Sequence, residues 1–135
     1  MFFEAYEIVP DTGGAGRFRG GNGFVRRFRI EAESAQICLC ADRHRTGPPG
    51  LAGGLAGQPA SYILNPDSEG ELPLPSKTPN IDMSKGTVVS LQSPGGGGYG
   101  HAGERDRARI AEDVANAYTS ESAARKFYDY DPEPN

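Results

Sequence analysis

The chain has 135 residues, which suits one domain with a modest core. Only 36% of its residues are hydrophobic, and 19 glycines and 11 prolines give it the composition of a loop-rich protein. The formal net charge of −4 excludes a general nucleic-acid binder, because neutralising phosphates requires clustered positive charge. We therefore expect a glycine-dense domain that depends on a partner for much of its stability.

Targeting signals are not evident in this sequence. Residues 1–7 are too short and too acidic for a signal peptide, and no apolar run approaches the length of a membrane span. The two cysteines, Cys38 and Cys40, lie too close together for an easy mutual disulfide, which favours a reducing compartment. These features predict a soluble cytoplasmic protein with neither a nucleic-acid nor a membrane partner.

Five segments have the alternation or the β-branched content of strands. In chain order they are residues 3–9, 23–31, 35–41, 61–64 and 86–90. Clusters of proline, glycine and aspartate follow several of them and indicate turns. The pattern predicts a mostly β fold of the α+β class.

The connections between these segments differ in kind. Residues 32–34 have a length suited to a hairpin between the second and third predicted strands. Residues 65–79 read as a polar, proline-rich connector without a strand of its own. Long irregular spans are uncommon in isolated domains, so we expect these loops to wrap around or insert into another protein surface.

Helical signals appear only towards the end of the chain. Residues 106–118 carry one apolar stripe at helical spacing, and a second short helix is predicted over residues 121–127. The acidic, proline-broken segment 129–135 is expected to fray. The chain is thus predicted to be one domain, with a β-rich glycine-loop region over residues 1–100 and a helical tail over residues 101–135.

Three glycine clusters distinguish this sequence, at residues 13–23, 48–57 and 91–101. Glycine loses more backbone entropy on folding than any other residue, so such clusters are costly unless another group must approach the backbone closely. A phosphate-binding loop of the Walker type requires Gly-Lys-Ser/Thr after the glycines, and the run 95–98 is followed by Tyr99-Gly-His instead. We therefore expect loops that pack tightly against neighbouring backbone.

A set of polar and glycine residues is predicted to serve binding or assembly. Arginine can hold a carboxylate or phosphate through two parallel hydrogen bonds, although internal salt bridges that pin the glycine loops explain the same residues equally well. The set comprises Arg17, Arg19, Asp42, Arg43, Gly95, Gly96, Gly97, Gly98 and Tyr99. No Gly-x-Ser-x-Gly elbow is present and only two histidines occur, so we predict no catalytic residue in this chain.

Cys38, Cys40 and His44 form a possible zinc constellation. The two thiols share one face of a predicted strand, and His101, an acidic side chain, water or a partner chain remains as a fourth ligand. The alternative is that both cysteines act as small buried hydrophobic residues. A small zinc-binding interaction module is accordingly one hypothesis for the whole chain.

Several motifs, taken in order, resemble the C-terminal part of hydantoinase B/5-oxoprolinase subunits. The resemblance covers roughly residues 4–128. Its motifs lie at residues 11–26, 41–43, 48–54, 74–77, 94–100, 104–106, 113–118 and 121–125. Members of this family are usually several hundred residues long, so we expect either a truncated chain or a block encoded as its own small subunit.

A split arrangement resembles the multi-subunit ketone carboxylases of the acetophenone carboxylase type. That resemblance implies a complex that converts a ketone, bicarbonate and ATP into a β-keto acid. It implies ATP with Mg or Mn in the complex but not on this chain alone. The implied partners are large hydantoinase B-like and hydantoinase A-like subunits in a hetero-oligomer, with this chain as a mainly structural accessory subunit. An alternative within the family is a split piece of an ATP-dependent hydantoinase or 5-oxoprolinase.

Overall fold

The computed structural model describes residues 1–131 and shows a mostly β protein with two short helices. The strands are β1 (Phe2–Ile8), β2 (Phe24–Arg29), β3 (Ser34–Cys40), β4 (Ser61–Leu64), β5 (Leu72–Leu74), β6 (Lys77–Ser84) and β7 (Val88–Gln92). A 3₁₀ turn at Ala102–Glu104 precedes helices α1 (Arg107–Ala115) and α2 (Glu121–Tyr128). The expected mostly β class is confirmed. None of the helices in this range is long and apolar enough to cross a membrane.

The strands form two antiparallel sheets. The larger sheet has the order β1-β2-β7-β4-β5, and β3 pairs with β6 in a two-stranded sheet. The predicted hairpin between β2 and β3 is therefore wrong. The chain leaves the larger sheet at Ile30, whose N–H and C=O bond to Thr87 and Gly86 in the turn between β6 and β7. This crossing lets β3 turn Ile37 and Leu39 towards the larger sheet.

One strand, β5, lies in the segment expected to be a connector, and a second, β6, begins in it. Prolines obscure them in the sequence, because proline cannot donate a ladder hydrogen bond. Pro73 is tolerated since β5 is an edge strand. Pro79 is tolerated since it falls where the β3–β6 register shifts between Ile37 and Leu39, at an irregularity of the ladder.

Two hydrophobic clusters hold these layers together. The first lies between the sheets and comprises Ile30, Leu39, Leu64, Leu74, Met83 and Val89. The second joins the helices to the first glycine cluster and comprises Ala15, Ile110, Ala124 and Tyr128. The helical tail is thus packed onto the glycine-rich region rather than onto the sheets.

Both predicted helices are confirmed. The side chain of Asp106 accepts a hydrogen bond from the Ala108 amide and caps α1, and Ser120 caps α2 in the same way. The first helix ends three residues earlier than expected, because Ala117 adopts a left-handed conformation with φ of 55°. Of the tail expected to fray, Tyr130 packs against the second cluster, and residues 132–135 lie outside the described range.

Candidate functional site

The three glycine clusters come together and form one layer, which we call the glycine layer (residues 12–23, 47–58 and 94–100). Each segment is hydrogen-bonded to both others through its backbone. The Gly14 amide donates to the Gly96 carbonyl at 2.8 Å, the Leu55 amide to Ala15 at 2.8 Å, and the Gly98 amide to Leu55 at 2.9 Å. The loops therefore pack largely on one another. Contact with another protein surface, which the sequence led us to expect, is not needed to explain their glycines.

Close backbone contact explains why these positions are glycine. A Cβ atom added at Gly14 would overlap the Leu55 carbonyl oxygen, and one added at Gly98 would overlap the Ala15 carbonyl oxygen. Gly97 has no room either, because its Cβ would overlap the Pro49 carbonyl. Gly96 differs, since its nearest neighbour would lie 3.2 Å away. The requirement for glycine is thus steric at most of the four-glycine loop.

The amides of that loop are already in use. The N–H groups of Gly95, Gly96 and Gly98 donate to the carbonyls of Gln58, Gly21 and Leu55. A phosphate cradle needs several backbone N–H groups that point at the ligand. Three of the four amides in the run cannot bind a phosphate without breaking hydrogen bonds of the glycine layer. The loop therefore has a structural role.

Arg19 belongs to a buried ion network. Its guanidinium contacts both carboxylate oxygens of Asp113 at 3.1 Å, and Arg105 contacts the same carboxylate at 2.7 Å. The side chains of Arg19, Asp113 and Arg105 are only 15%, 10% and 7% exposed. Arg105 also donates to the Arg17 carbonyl at 3.1 Å. The network fastens α1 to the first glycine segment.

This network has one carboxylate for two guanidinium groups. Among the residues that the structure describes, Asp113 is the only acidic side chain paired with either arginine. Tyr128 lies beside Arg105, with the guanidinium 6.0 Å from its ring centroid. Burial raises the pKa of the Tyr128 hydroxyl, while Arg105 opposes that shift. The hydroxyl therefore stays neutral near pH 7, and Asp113 offsets only one of the two guanidinium charges.

The side chains of the other predicted charged residues, Arg17, Asp42 and Arg43, lie apart from this network. Arg17 is exposed, with its guanidinium 5.6 Å from the Phe18 ring centroid and 4.0 Å from Glu104. Asp42 is exposed and lies 3.8 Å from Lys77. Arg43 is exposed and left-handed, with φ of 63°, and its carbonyl accepts the Ala60 amide. The structure thus does not gather the predicted set into one site.

Tyr99 is part of an exposed apolar ridge on the glycine layer. Its backbone N–H and C=O bond to Phe18 at 2.9 Å in both directions, and it forms a second bridge with Leu51. The ridge comprises Phe18, Leu51, Leu55 and Tyr99, all at least 45% exposed. Sequence reasoning placed Tyr99 in a binding set but did not predict its three neighbours, which come from other glycine segments.

The three candidate zinc ligands do not converge. Cys38 and Cys40 are both exposed, so the alternative of two buried hydrophobic residues is wrong. The rings of His44 and Tyr62 pack edge-to-face with 4.5 Å between their centroids, and the His44 Nε2 atom is buried. Within residues 1–131 no group of three or more histidine, cysteine or acidic side chains could hold a metal ion.

We predict that both thiols react freely in the native protein. A maleimide should label Cys38 and Cys40, because both side chains are exposed on the outer face of β3. The measurement is mass spectrometry of the labelled protein beside metal analysis, with Cys38→Ser as the comparison. Stoichiometric zinc that disappears in Cys38→Ser would contradict this expectation and restore the zinc site.

The comparisons with known proteins support the family resemblance to which the motifs point. The model of the hydantoinase B/oxoprolinase family matches residues 1–102. The chain belongs to this family. The B component of a putative D-/L-hydantoinase from Pseudomonas sp. strain NS671 is 31% identical over 124 residues, which is 91% of this chain and 21% of that protein. The chain therefore spans about a fifth or less of the length of the relatives that it matches.

Solved structures support the same family fold. The ATP-dependent caprolactamase from Pseudomonas jessenii superposes with a TM-score of 0.81 at 27% identity, over 98% of this chain and 23% of that chain. A nucleotide-free acetone carboxylase superposes with a TM-score of 0.74 at 18% identity, over 93% of this chain and 21% of that one. At that identity, the second likeness shows the fold alone. This hydantoinase B-type module thus occurs inside much longer chains.

Proposed function

We propose that the chain is a structural subunit of an ATP-dependent enzyme of the hydantoinase B/oxoprolinase family. The observation that carries this role is the glycine layer, whose close backbone packing uses its own amides and leaves it as a scaffold. The buried Arg19–Asp113–Arg105 network serves the same end by fixing α1 to that scaffold. ATP and its metal ion are bound in the complex, by the larger subunits.

Carboxylation of a ketone is the proposed reaction of the complex. The sequence resemblance to the acetophenone carboxylase type supports it, and the fold that the chain shares with acetone carboxylase is consistent with it. In this reaction the complex uses ATP and bicarbonate to convert a ketone into a β-keto acid. The chain takes part as an accessory subunit, next to large hydantoinase B-like and A-like subunits.

A second candidate is ATP-dependent opening of a cyclic amide. A specific observation favours it: the matched relatives at 31% and 30% identity are the B component of a putative D-/L-hydantoinase and the beta component of a caprolactamase. The role of this chain in the complex is the same in both cases. The two candidates differ only in the substrate that the larger subunits activate.

Co-purification tests the structural role. We expect the tagged chain to bring down a large hydantoinase B-type subunit, and to be insoluble or partly unfolded when produced alone. The weak core and the exposed apolar residues are the reason for this expectation. A sharp, cooperative thermal transition of the isolated chain, with no partner captured, would contradict the proposal.

Substrate-dependent ATP consumption by the purified complex separates the two reactions. A carboxylase consumes ATP only when both a ketone and bicarbonate are present. An amide hydrolase consumes ATP with hydantoin, 5-oxoproline or caprolactam and does not respond to bicarbonate. Assays with acetone and acetophenone as ketones, each with and without bicarbonate, decide between them.

A further inference from the structure

β1 is left uncovered by the rest of the described chain. It lies at the edge of the five-stranded sheet and pairs only with β2. Four of its large apolar side chains are more than half exposed, namely Phe2, Phe3, Tyr6 and Ile8. Scattered exposed apolar residues are ordinary, but a contiguous group on one strand marks an interaction surface.

Three of these side chains point to the side of the sheet that carries the core. Phe3 lies opposite Phe28, and Tyr6 and Ile8 lie opposite Arg26 and Phe24. Residues directly opposite in an antiparallel pair share a face, and Phe28 packs against the first hydrophobic cluster. The two-stranded sheet of β3 and β6 is the layer that covers this face of the larger sheet. It does not extend over β1, whose apolar side chains stay exposed.

The free edge of β1 also presents unpaired backbone groups. The Val9 amide donates to the Gly23 carbonyl at 2.8 Å, towards β2. Because amides alternate in direction along a strand, those of Tyr6 and Ile8 point away from β2. The register shift lies between Phe3 and Ala5 and leaves this alternation intact.

The two edges of the sheet differ in their protection against further pairing. Natural edge strands are blunted by short length, proline or lysine. β5, at the opposite edge, has three residues and includes Pro73. β1 has seven residues and contains neither proline nor lysine. Its edge is therefore suited to accept another strand.

The carboxylates of β1 do not oppose its burial, and the one charged side chain of β2 on the same face, Arg26, lies over the Phe24 ring with its guanidinium 5.4 Å from the ring centroid. Glu4 is already paired with Arg29 at 2.6 Å. Glu7 lies opposite Val25, on the other face from Phe3, Tyr6 and Ile8. A layer placed over the apolar face would therefore bury no unpaired carboxylate of β1.

We propose that a strand of the larger hydantoinase B-type chain pairs with the free edge of β1 and that neighbouring residues of that chain cover Phe3, Tyr6 and Ile8. This inference rests on the proposed function. The caprolactamase chain that contains the same fold has more than three-quarters of its length outside the matched module, enough to supply a strand and a covering layer. The occupant is thus the remainder of a family chain, which the proposed function places on a separate subunit.

Hydrogen exchange in the purified complex tests the strand pairing. We expect the Tyr6 and Ile8 amides to be protected at least about 100-fold relative to an unstructured peptide, although residues 1–131 offer them no hydrogen-bond acceptor. The Glu7 and Val9 amides, which point to β2, serve as internal references. Exchange of the Tyr6 and Ile8 amides at the rate of exposed amides would overturn the inference.

Matched lysine variants test the covering layer. Tyr6→Lys should weaken binding to the larger subunit at least roughly tenfold, since it removes a large buried apolar group. Leu72→Lys is the control, because Leu72 is 55% exposed at the opposite edge of the same sheet. Equal effects of the two variants, each measured in competition with the parent chain for the co-expressed larger subunit, would place the interface elsewhere.

The outcomes distinguish this inference from the proposed function. If no larger family chain co-purifies, the proposed function fails. If one co-purifies while the Tyr6 and Ile8 amides exchange freely, only the β1 interface is wrong. A homodimer of this chain that Tyr6→Lys dissociates, with binding to the larger subunit unchanged, would assign β1 to a second copy and overturn the inference.

Discussion

Replacing Gly98 with alanine should unfold the glycine layer. The added Cβ would overlap the Ala15 carbonyl oxygen and lie 2.7 Å from the Gly14 carbonyl oxygen. Both are backbone atoms held by hydrogen bonds, the Ala15 carbonyl by the Leu55 amide and the Gly14 carbonyl by the Gly20 amide, so they cannot move aside as a flexible side chain does. We expect a loss of about 3 kcal/mol or more in the free energy of unfolding, a large fraction of a typical domain's stability.

Gly21→Ala is the matched control for this variant. Gly21 lies in the same layer, and its Cβ would meet nothing within 4 Å. The free energy of unfolding of Gly21→Ala should stay within about 0.5 kcal/mol of that of the parent protein, as for most surface substitutions. Soluble yield and hydrogen exchange of residues 94–100 in the purified complex measure both variants. Unchanged protection in Gly98→Ala would show that the three segments do not pack as described.

The space around each glycine also predicts different effects of substitution at neighbouring positions. Gly97→Val should prevent assembly, because its side chain would collide with the Pro49 carbonyl. Gly96 has more room, so Gly96→Ala should be milder. A Gly97 variant that assembles normally but loses the activity of the complex would instead place this loop in an active site.

Asp113→Asn should be the most disruptive substitution of a charged residue. It leaves the Arg19 and Arg105 guanidinium groups buried without the carboxylate that both contact. Removing one partner of a buried ion pair typically costs about 3–5 kcal/mol, because an uncompensated charge remains. We expect the amides of α1 and α2 to lose their protection first, since the network fastens α1 to the glycine layer.

Asp67→Asn is the control with the same change in chemistry. Asp67 pairs with Arg27 at 3.1 Å but is 78% exposed, so its pair is screened by water. We expect a change of at most about 1 kcal/mol for this variant. Hydrogen exchange of α1 and α2 in the purified complex, at increasing urea concentrations, measures both variants. Equal effects would mean that Asp113 is not the counter-ion of a buried network.

Local patterns were sufficient for most of the regular structure. The strand predicted over residues 61–64 has those bounds, and the helix predicted over 121–127 differs by one residue. Alternation and helical spacing are properties of consecutive residues, so a single sequence carries them. The close-packing explanation of the glycines also followed from the residue type alone, because only close approach or a special turn offsets the entropy that glycine loses.

Long-range pairing decided the features that the sequence did not reveal. The residues Arg19 and Asp113 are 94 positions apart, and no periodicity links them. β6 was missed because Pro79 argues against a strand until the partner strand supplies a register shift beside it. The exposure of Cys38 and Cys40 likewise depends on which face of β3 the larger sheet covers.

The sequence by itself therefore determined the local elements, the steric role of most glycines and the family to which the motifs point. Only the tertiary structure decided that the three glycine segments hydrogen-bond to one another, that Arg19 is buried against α1, and that β1 is left uncovered. The physical reason is that the spacing of apolar residues along the chain indicates whether a segment is a helix or a strand and which of its faces is buried. The identity of the covering neighbour depends on contacts between residues that are distant in sequence.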